Sequence, residues 1–151
     1  MAKWLVKTEP EVFSIADLKR ERATSWGGVR NYQARNFLRA MKVGEEVLIY
    51  HSNTEPPAVV GVAAVKRAAY PDPEQFDRHS EYFDGKSTQE NPRWFSPDLM
   101  FVKEFPTPVE LARLKAERKL KAMPLLQRGS RLSVMPVTAD EFKYILRLAG
   151  A

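Results

Sequence analysis

Trp26-Gly27-Gly28-Val29-Arg30-Asn31-Tyr32-Gln33-Ala34-Arg35-Asn36-Phe37-Leu38-Arg39-Ala40-Met41 passes from a hinged turn into a helix, and the two halves make different demands on the rest of the chain. Gly27 and Gly28 form a hinge that reaches backbone conformations closed to other residues. Ala34, Phe37, Leu38 and Met41 then recur at helical spacing, one apolar stripe that must be buried against another element. Arg35, Arg39 and Lys42 lie on a second face, and Arg30 stands at the helix start. Such charges are ordinarily a solvated face. Here they alternate with Trp26 and Tyr32, and flat rings beside guanidinium groups are what base stacking and phosphate contact require.

Working outward, residues 3–7 read as a strand stopped at Glu9-Pro10, because proline cannot continue a ladder. Ser14 is placed as the N-cap of a short helix, with Asp17 three residues on and Phe13 and Leu18 as a staple. Residues 21–28 read as a loop, and the basic helix ends near Lys42. Residues 46–51 and 58–65 are rich in β-formers and pair across Pro56-Pro57. Gly61 inside the second run predicts a bulge or a close backbone approach. Residues 70–97 hold Tyr70, Phe76, Tyr82, Phe83, Trp94 and Phe95 without period. Loops of that length are functional or disordered, and aromatic residues argue for an ordered excursion over one side of the sheet.

Residues 98–105 predict a nearly continuous, central strand. Thr107-Pro108-Val109-Glu110 has the form of a capping box and predicts a helix reaching about Arg118. Residues 131–134 read as a strand. Thr138-Ala139-Asp140-Glu141 is a second capping box, stapled by Val137 and Phe142, ahead of a helix that buries Phe142, Ile145, Leu146 and Ala149. This element order fits no regular βαβ winding. It predicts an α+β fold, a small mixed sheet or partial barrel with helices around it, in one domain over residues 1–151.

With 151 residues, the chain is long enough for one core without staples. It has no cysteine and two histidines, His51 and His79. Disulfides, thiolate chemistry and sulfur-ligated metal are therefore out, and no metal or other cofactor is expected. No apolar run is long enough to cross a bilayer and no secretory h-region begins the chain, so a cytoplasmic protein is expected. The formal net charge of +5 and pI near 9.5 favour a polyanionic partner.

Catalytic constellations are weak. His51 and Ser52 are adjacent in a strand and point to opposite faces, so they form no dyad. Trp26-Gly27-Gly28-Val29 lacks the spacing of a phosphate-cradling loop. Glu9, Asp72 and Glu90 can converge only through the fold. Binding has better material: Trp26 before two glycines as the wall of a slot, Asn31 as a base contact or a helix cap, and Tyr50, His51 and Ser52 at a strand end where pocket mouths form. Trp94 is a lid or a loop anchor. Arg113, Lys115, Arg118, Lys119 and Lys121 read as a solvated helix face.

Several stretches together resemble the EVE domain family: Trp4-Leu5-Val6-Lys7-Thr8-Glu9-Pro10, Trp26 with Gly28-Val29-Arg30-Asn31-Tyr32-Gln33-Ala34-Arg35-Asn36, and Tyr50-His51-Ser52. The likeness continues through Ala69-Tyr70-Pro71-Asp72, Asn91-Pro92-Arg93-Trp94 and Arg131-Leu132-Ser133-Val134-Met135-Pro136. Thr8 departs from the serine often found there and keeps the hydroxyl. The resemblance implies a PUA-like mixed β-barrel flanked by helices, related to the domains that read methylated adenosine in RNA. It also implies a reader of a modified cytosine or adenine in DNA or RNA. The protein is expected to be a monomer, and nuclear if the chain is eukaryotic. On that reading the base meets Thr8, Glu9, Trp26, Gly28, Val29, Asn31, Tyr50, His51, Ser52 and Trp94, while Arg30, Arg35 and Arg131 hold phosphates. The alternative is a hydrolase of modified nucleotides or RNA using a carboxylate such as Glu9, and a third reading is a module whose basic helix docks an acidic protein.

Overall fold

The computed structural model describes residues 1–151. Six strands run in the order β1 (Lys3–Thr8), β2 (Ala23–Ser25), β3 (Glu46–His51), β4 (Ala58–Pro71), β5 (Phe95–Glu110) and β6 (Val134–Val137), with helices α1 (Ile15–Glu21), α2 (Tyr32–Ala40), α3 (Leu111–Ala116) and α4 (Ala139–Leu148) between them. The strands make one mixed sheet in the spatial order β2-β5-β4-β3-β1-β6. Only β1 and β3 pair in parallel. The α+β class stands. The two outermost strands, β2 and β6, do not pair with each other, so the hydrogen-bonded sheet does not close into the expected barrel.

Both faces of the sheet are buried, which explains why β1, β3 and β4 read as apolar runs rather than alternating ones. Trp4, Val6, Val47 and Ile49 pack with Ile15, Leu18, Ala34, Leu38 and Met41 of the first two helices and their flanks. Leu5, Leu48 and Tyr50, the intervening residues, pack on the other face with Leu114, Phe142, Ile145 and Ala149. The period of two along a strand thus divides one sequence between two cores. No helix is long and apolar enough to cross a membrane.

The local signals hold where they are local. Ser14 and Thr138 both make full capping boxes, with Asp17 and Glu141. At Gly61 the β3–β4 and β4–β5 registers shift, and a Cβ there would lie 2.5 Å from the Lys103 carbonyl oxygen and 2.8 Å from Ile15 Cδ1. Any side chain would push the strands apart.

Several elements differ from expectation. Residues 107–110 are strand, not helix start: Val109 and Glu110 pair with Val59 and Ala58, and α3 begins only at Leu111 with no side-chain cap. Burying Val109 in the core outweighs a local capping pattern, and the register shift between Gly61 and Val59 takes up Pro106 and Pro108, as bulges accommodate proline. The strand placed at 98–105 extends to 95–110 and lies next to the edge strand β2, which fell within the predicted loop. The last strand is 134–137 rather than 131–134.

Residues 72–94 form the expected ordered excursion, and buried Gln75 holds it together. Its Nε2 donates to the carbonyls of Asp72 (2.7 Å) and Trp94 (2.8 Å). Its Oε1 accepts from Ser87 Oγ and from the amides of Arg93 and Trp94. One amide side chain thereby satisfies buried backbone that no ladder reaches.

Candidate nucleic-acid interface

A cavity of about 690 Å³ opens where the end of β1, the 24–30 turn and the segment before β6 meet. Thr8, Glu9, Trp26, Gly28, Val29, Arg30, Ser52 and Arg131 all line it, residues far apart in sequence that the fold collects. Ser52 N–H donates to the Thr8 carbonyl and Lys7 N–H to the Ser133 carbonyl, both at 2.9 Å, so the three chain segments are tied at the rim. Trp26 is 8% exposed and stands edge-on to Phe13, with centroids 6.1 Å apart. The indole is thus a fixed wall. Val12, Phe13 and Val29 add apolar surface, and Thr24, Ser25, Ser52 and Ser133 add hydroxyls.

The glycine turn is set from behind by buried Asp72. Its Oδ2 accepts from Gly28 N–H (2.9 Å) and Arg30 Nη1 (3.0 Å), and its Oδ1 accepts from Glu74 N–H (2.9 Å). Gly28 has φ +76°, and a Cβ there would lie 2.9 Å from the Tyr82 ring, so both conformation and space call for glycine. Arg30 Nε and Nη2 donate to the Tyr82 carbonyl, fixing that ring in the cavity wall.

Asn31, Arg35, Tyr50, His51 and Trp94 do not line this cavity. Asn31 Oδ1 caps α2 by accepting from Ala34 N–H, although Asn31 and Arg131 share a smaller recess of about 390 Å³ alongside. Arg35 donates to the Arg93 carbonyl and to Asn36 Oδ1, over the face of Tyr32. Trp94 is buried, stacks on Tyr32 at 4.9 Å and donates its indole N–H to Asp84, which anchors the excursion. That hydrogen bond, with the Lys86 amide, holds the Asp84 carboxyl below its usual range. Tyr50 points into the core of the opposite face.

His51 Nε2 accepts from Ile15 N–H at the start of α1, so its ring is held neutral. Burial lowers its pKa, and the charge of Glu104 opposes this only in part. The unfolded chain takes up that proton near pH 6.5 and the folded chain only at lower pH. The contribution is complete above about pH 6.5 and is lost as pH falls through the lowered folded value. Acidification from about pH 7.5 to 5.5 is therefore expected to lower Tm more in the wild type than in His51→Gln, which keeps an acceptor but does not titrate. Equal losses would remove His51 from this role.

Reading residues singly missed Lys7, Val12, Phe13, Thr24, Ser25, Tyr82 and Ser133 as lining groups. Lys7 had a signal: a cation interrupting the apolar run Leu5-Val6 just before the Thr8-Glu9 turn. Burial lowers its pKa, and it joins no ion pair. Arg131 is exposed and likewise unpaired.

Fold and cavity together define a PUA-like α+β domain with a cavity of mixed polarity at one end of its sheet. The EVE domain family model matches residues 2–148, and the chain belongs to that family. It is 43% identical to human thymocyte nuclear protein 1 over 164 aligned residues, covering 96% of this chain and 72% of the human protein. A Pseudomonas putida protein solved by X-ray crystallography superposes with TM-score 0.96 at 49% identity, covering 98% of this chain and 99% of that one. A crystal structure of human THYN1 in complex with 5-methylcytosine-containing DNA superposes with TM-score 0.94 at 42% identity, covering 100% of this chain and 99% of that one.

Proposed function

We propose that this protein is a non-enzymatic reader of a modified base in nucleic acid, with methylated cytosine in DNA as its first ligand class. The observation that carries this is the cavity, walled by Trp26, lined by hydroxyls and flanked by an unpaired cation, in a chain that superposes on a protein crystallised with 5-methylcytosine-containing DNA. Its volume lies within the range of small-ligand pockets, about 300–1,000 Å³. The base leaves the stack and enters beside Trp26, with polar contacts from Thr8, Glu9 and Ser52 and close backbone approach at Gly28 and Val29. Val12, Phe13 and Val29 offer apolar contact to a methyl group. One carboxylate and no histidine face this space, which favours binding over hydrolysis by a paired acid and base.

Unstacking a base costs a few kcal/mol and aromatic contact returns about 1–3 kcal/mol. Phosphate contacts must supply the rest. Arg131 is the rim cation free to do so, whereas Arg30 and Arg35 bring charge from positions already fixed by protein acceptors. Arg131→Ala is therefore expected to weaken modified and plain oligonucleotides alike. Its slope of log K against log salt should become shallower by about 0.7–0.9.

The reading itself is tested by fluorescence anisotropy at fixed salt, using matched single- and double-stranded DNA and RNA with and without methylated or hydroxymethylated bases. Preference for one modification is the expected result. Equal, salt-sensitive binding to every oligonucleotide would reduce the protein to a basic surface.

A further inference from the structure

We infer that Lys7 and Glu9 form a fixed-polarity pair that reads the Watson–Crick edge of the bound base, accepting a cytosine edge and rejecting a thymine edge that carries the same 5-methyl group. The inference rests on the reader function proposed above and adds which face of the base the cavity recognises.

Most polar side chains around the cavity cannot make that distinction. The hydroxyls of Thr24, Ser25, Ser52 and Ser133 both donate and accept, so they suit either edge. Glu9 is the one lining side chain that only accepts when ionised. Among the lining groups that only donate, Arg30 is engaged by Asp72 and Tyr82, and Arg131 lies exposed at the rim. Lys7 is the remaining one, half-buried. Lys7 and Glu9 face the same cavity without pairing with each other or with any other charge. Glu9 is itself exposed and has one neutral partner, Asn53 Nδ2 on Oε1 at 3.2 Å, which leaves its second oxygen open to the cavity.

A half-buried ammonium with no counter-charge carries a desolvation cost that a ligand acceptor would relieve. Lys7 lies in the last two residues of β1 and Glu9 just past its end, and both line the one cavity. A donor and an acceptor so placed match cytosine, whose edge runs from the N4 amino donor to the N3 and O2 acceptors. Carboxylate recognition of the cytosine amino group is an established pairing. Thymine presents O4 to that carboxylate and N3–H to the ammonium. Both contacts become like facing like, and a site built to hydrogen-bond one edge rejects the mismatched edge more strongly than it rejects a missing methyl.

5-Methylcytosine and thymine share the methyl group and differ in this edge, which isolates the question. The measurement is anisotropy with the full chain and three single-stranded oligonucleotides that carry cytosine, 5-methylcytosine or thymine at one position. Single strands remove differences in pairing. The wild type is expected to favour 5-methylcytosine over thymine by about tenfold or more. Glu9→Gln keeps an acceptor for Asn53 and can turn its amide either way, so it should lose that preference. Lys7→Met keeps the aliphatic stem and should weaken 5-methylcytosine binding with the salt slope unchanged.

A wild type that separates 5-methylcytosine from cytosine but not from thymine overturns the edge-reading pair and leaves the reader intact. Equal binding to all three bases overturns both. Retained preference in Glu9→Gln removes Glu9 from the role. A Lys7→Met slope shallower by about 0.7 would place Lys7 on a phosphate instead.

Discussion

Asp72→Ala is expected to lower folding stability by about 3–5 kcal/mol, the usual loss when one partner of a buried ion pair is removed. The Asp72 side chain is 1% exposed and that of Arg30 is 21% exposed, so water reaches Arg30 in part and the lower end of that range applies. Gly28 N–H and Glu74 N–H lose their acceptor, and Arg30 Nη1 loses its carboxylate and keeps only the Val29 carbonyl. The consequence reaches function, because two of these donors belong to the glycine turn and to the arginine that fixes Tyr82. The variant should therefore bind oligonucleotide more weakly even at temperatures where it stays folded. Asp72→Asn separates the two effects. Its oxygen can keep Glu74, while its amide hydrogens then face Gly28 N–H and Arg30, so stability should fall less and binding should still suffer. Chemical denaturation with anisotropy on the folded fraction measures both. If Asp72→Asn bound as the wild type does, the network would be structural only.

Asp72 also marks where sequence reading stops. Ser14, Asn31 and Thr138 cap their helices because a cap depends on residues within one turn. The stripe Ala34, Phe37, Leu38 and Met41 is buried or partly buried for the same local reason. Thr107-Pro108-Val109-Glu110 has equal local credentials and fails, because pairing with β4 and burial of Val109 are set by residues some fifty positions away. β2 has three residues, Ala23-Thr24-Ser25, too few and too polar to announce a strand. At the site the same division holds. Trp26, Thr8, Glu9 and Ser52 do meet around one cavity, while Asn31, His51 and Trp94 have side-chain groups already engaged inside the protein. Residue type indicates what a group can do, and only the fold shows which partner reaches it first. Lys7 is the converse case, ordinary as a strand residue and distinctive once its lack of a partner is seen.

Trp26→Ala should abolish discrimination between modified and plain base while leaving most of the salt dependence. Aromatic contact is worth about 1–3 kcal/mol per base, roughly five- to 150-fold in affinity. That term belongs to the flipped base, whereas the salt slope belongs to cations on the phosphate backbone. The two are separable because Trp26 forms the wall and Arg131 stands at the rim. Trp26 also packs on Phe13 in the core beneath the sheet, and truncating a buried tryptophan typically costs about 3–5 kcal/mol. A smaller change is needed beside it. Trp26→Phe keeps an aromatic wall and most of the packing, so it should remain folded, retain the preference for the modified base and bind it several-fold more weakly. The graded series of tryptophan, phenylalanine and alanine then reads the contact itself, with circular dichroism confirming that each variant is folded. Should folded Trp26→Ala still separate modified from plain oligonucleotide, the base must sit elsewhere, and the recess shared by Asn31, Gln33 and Arg131 is the next place to test.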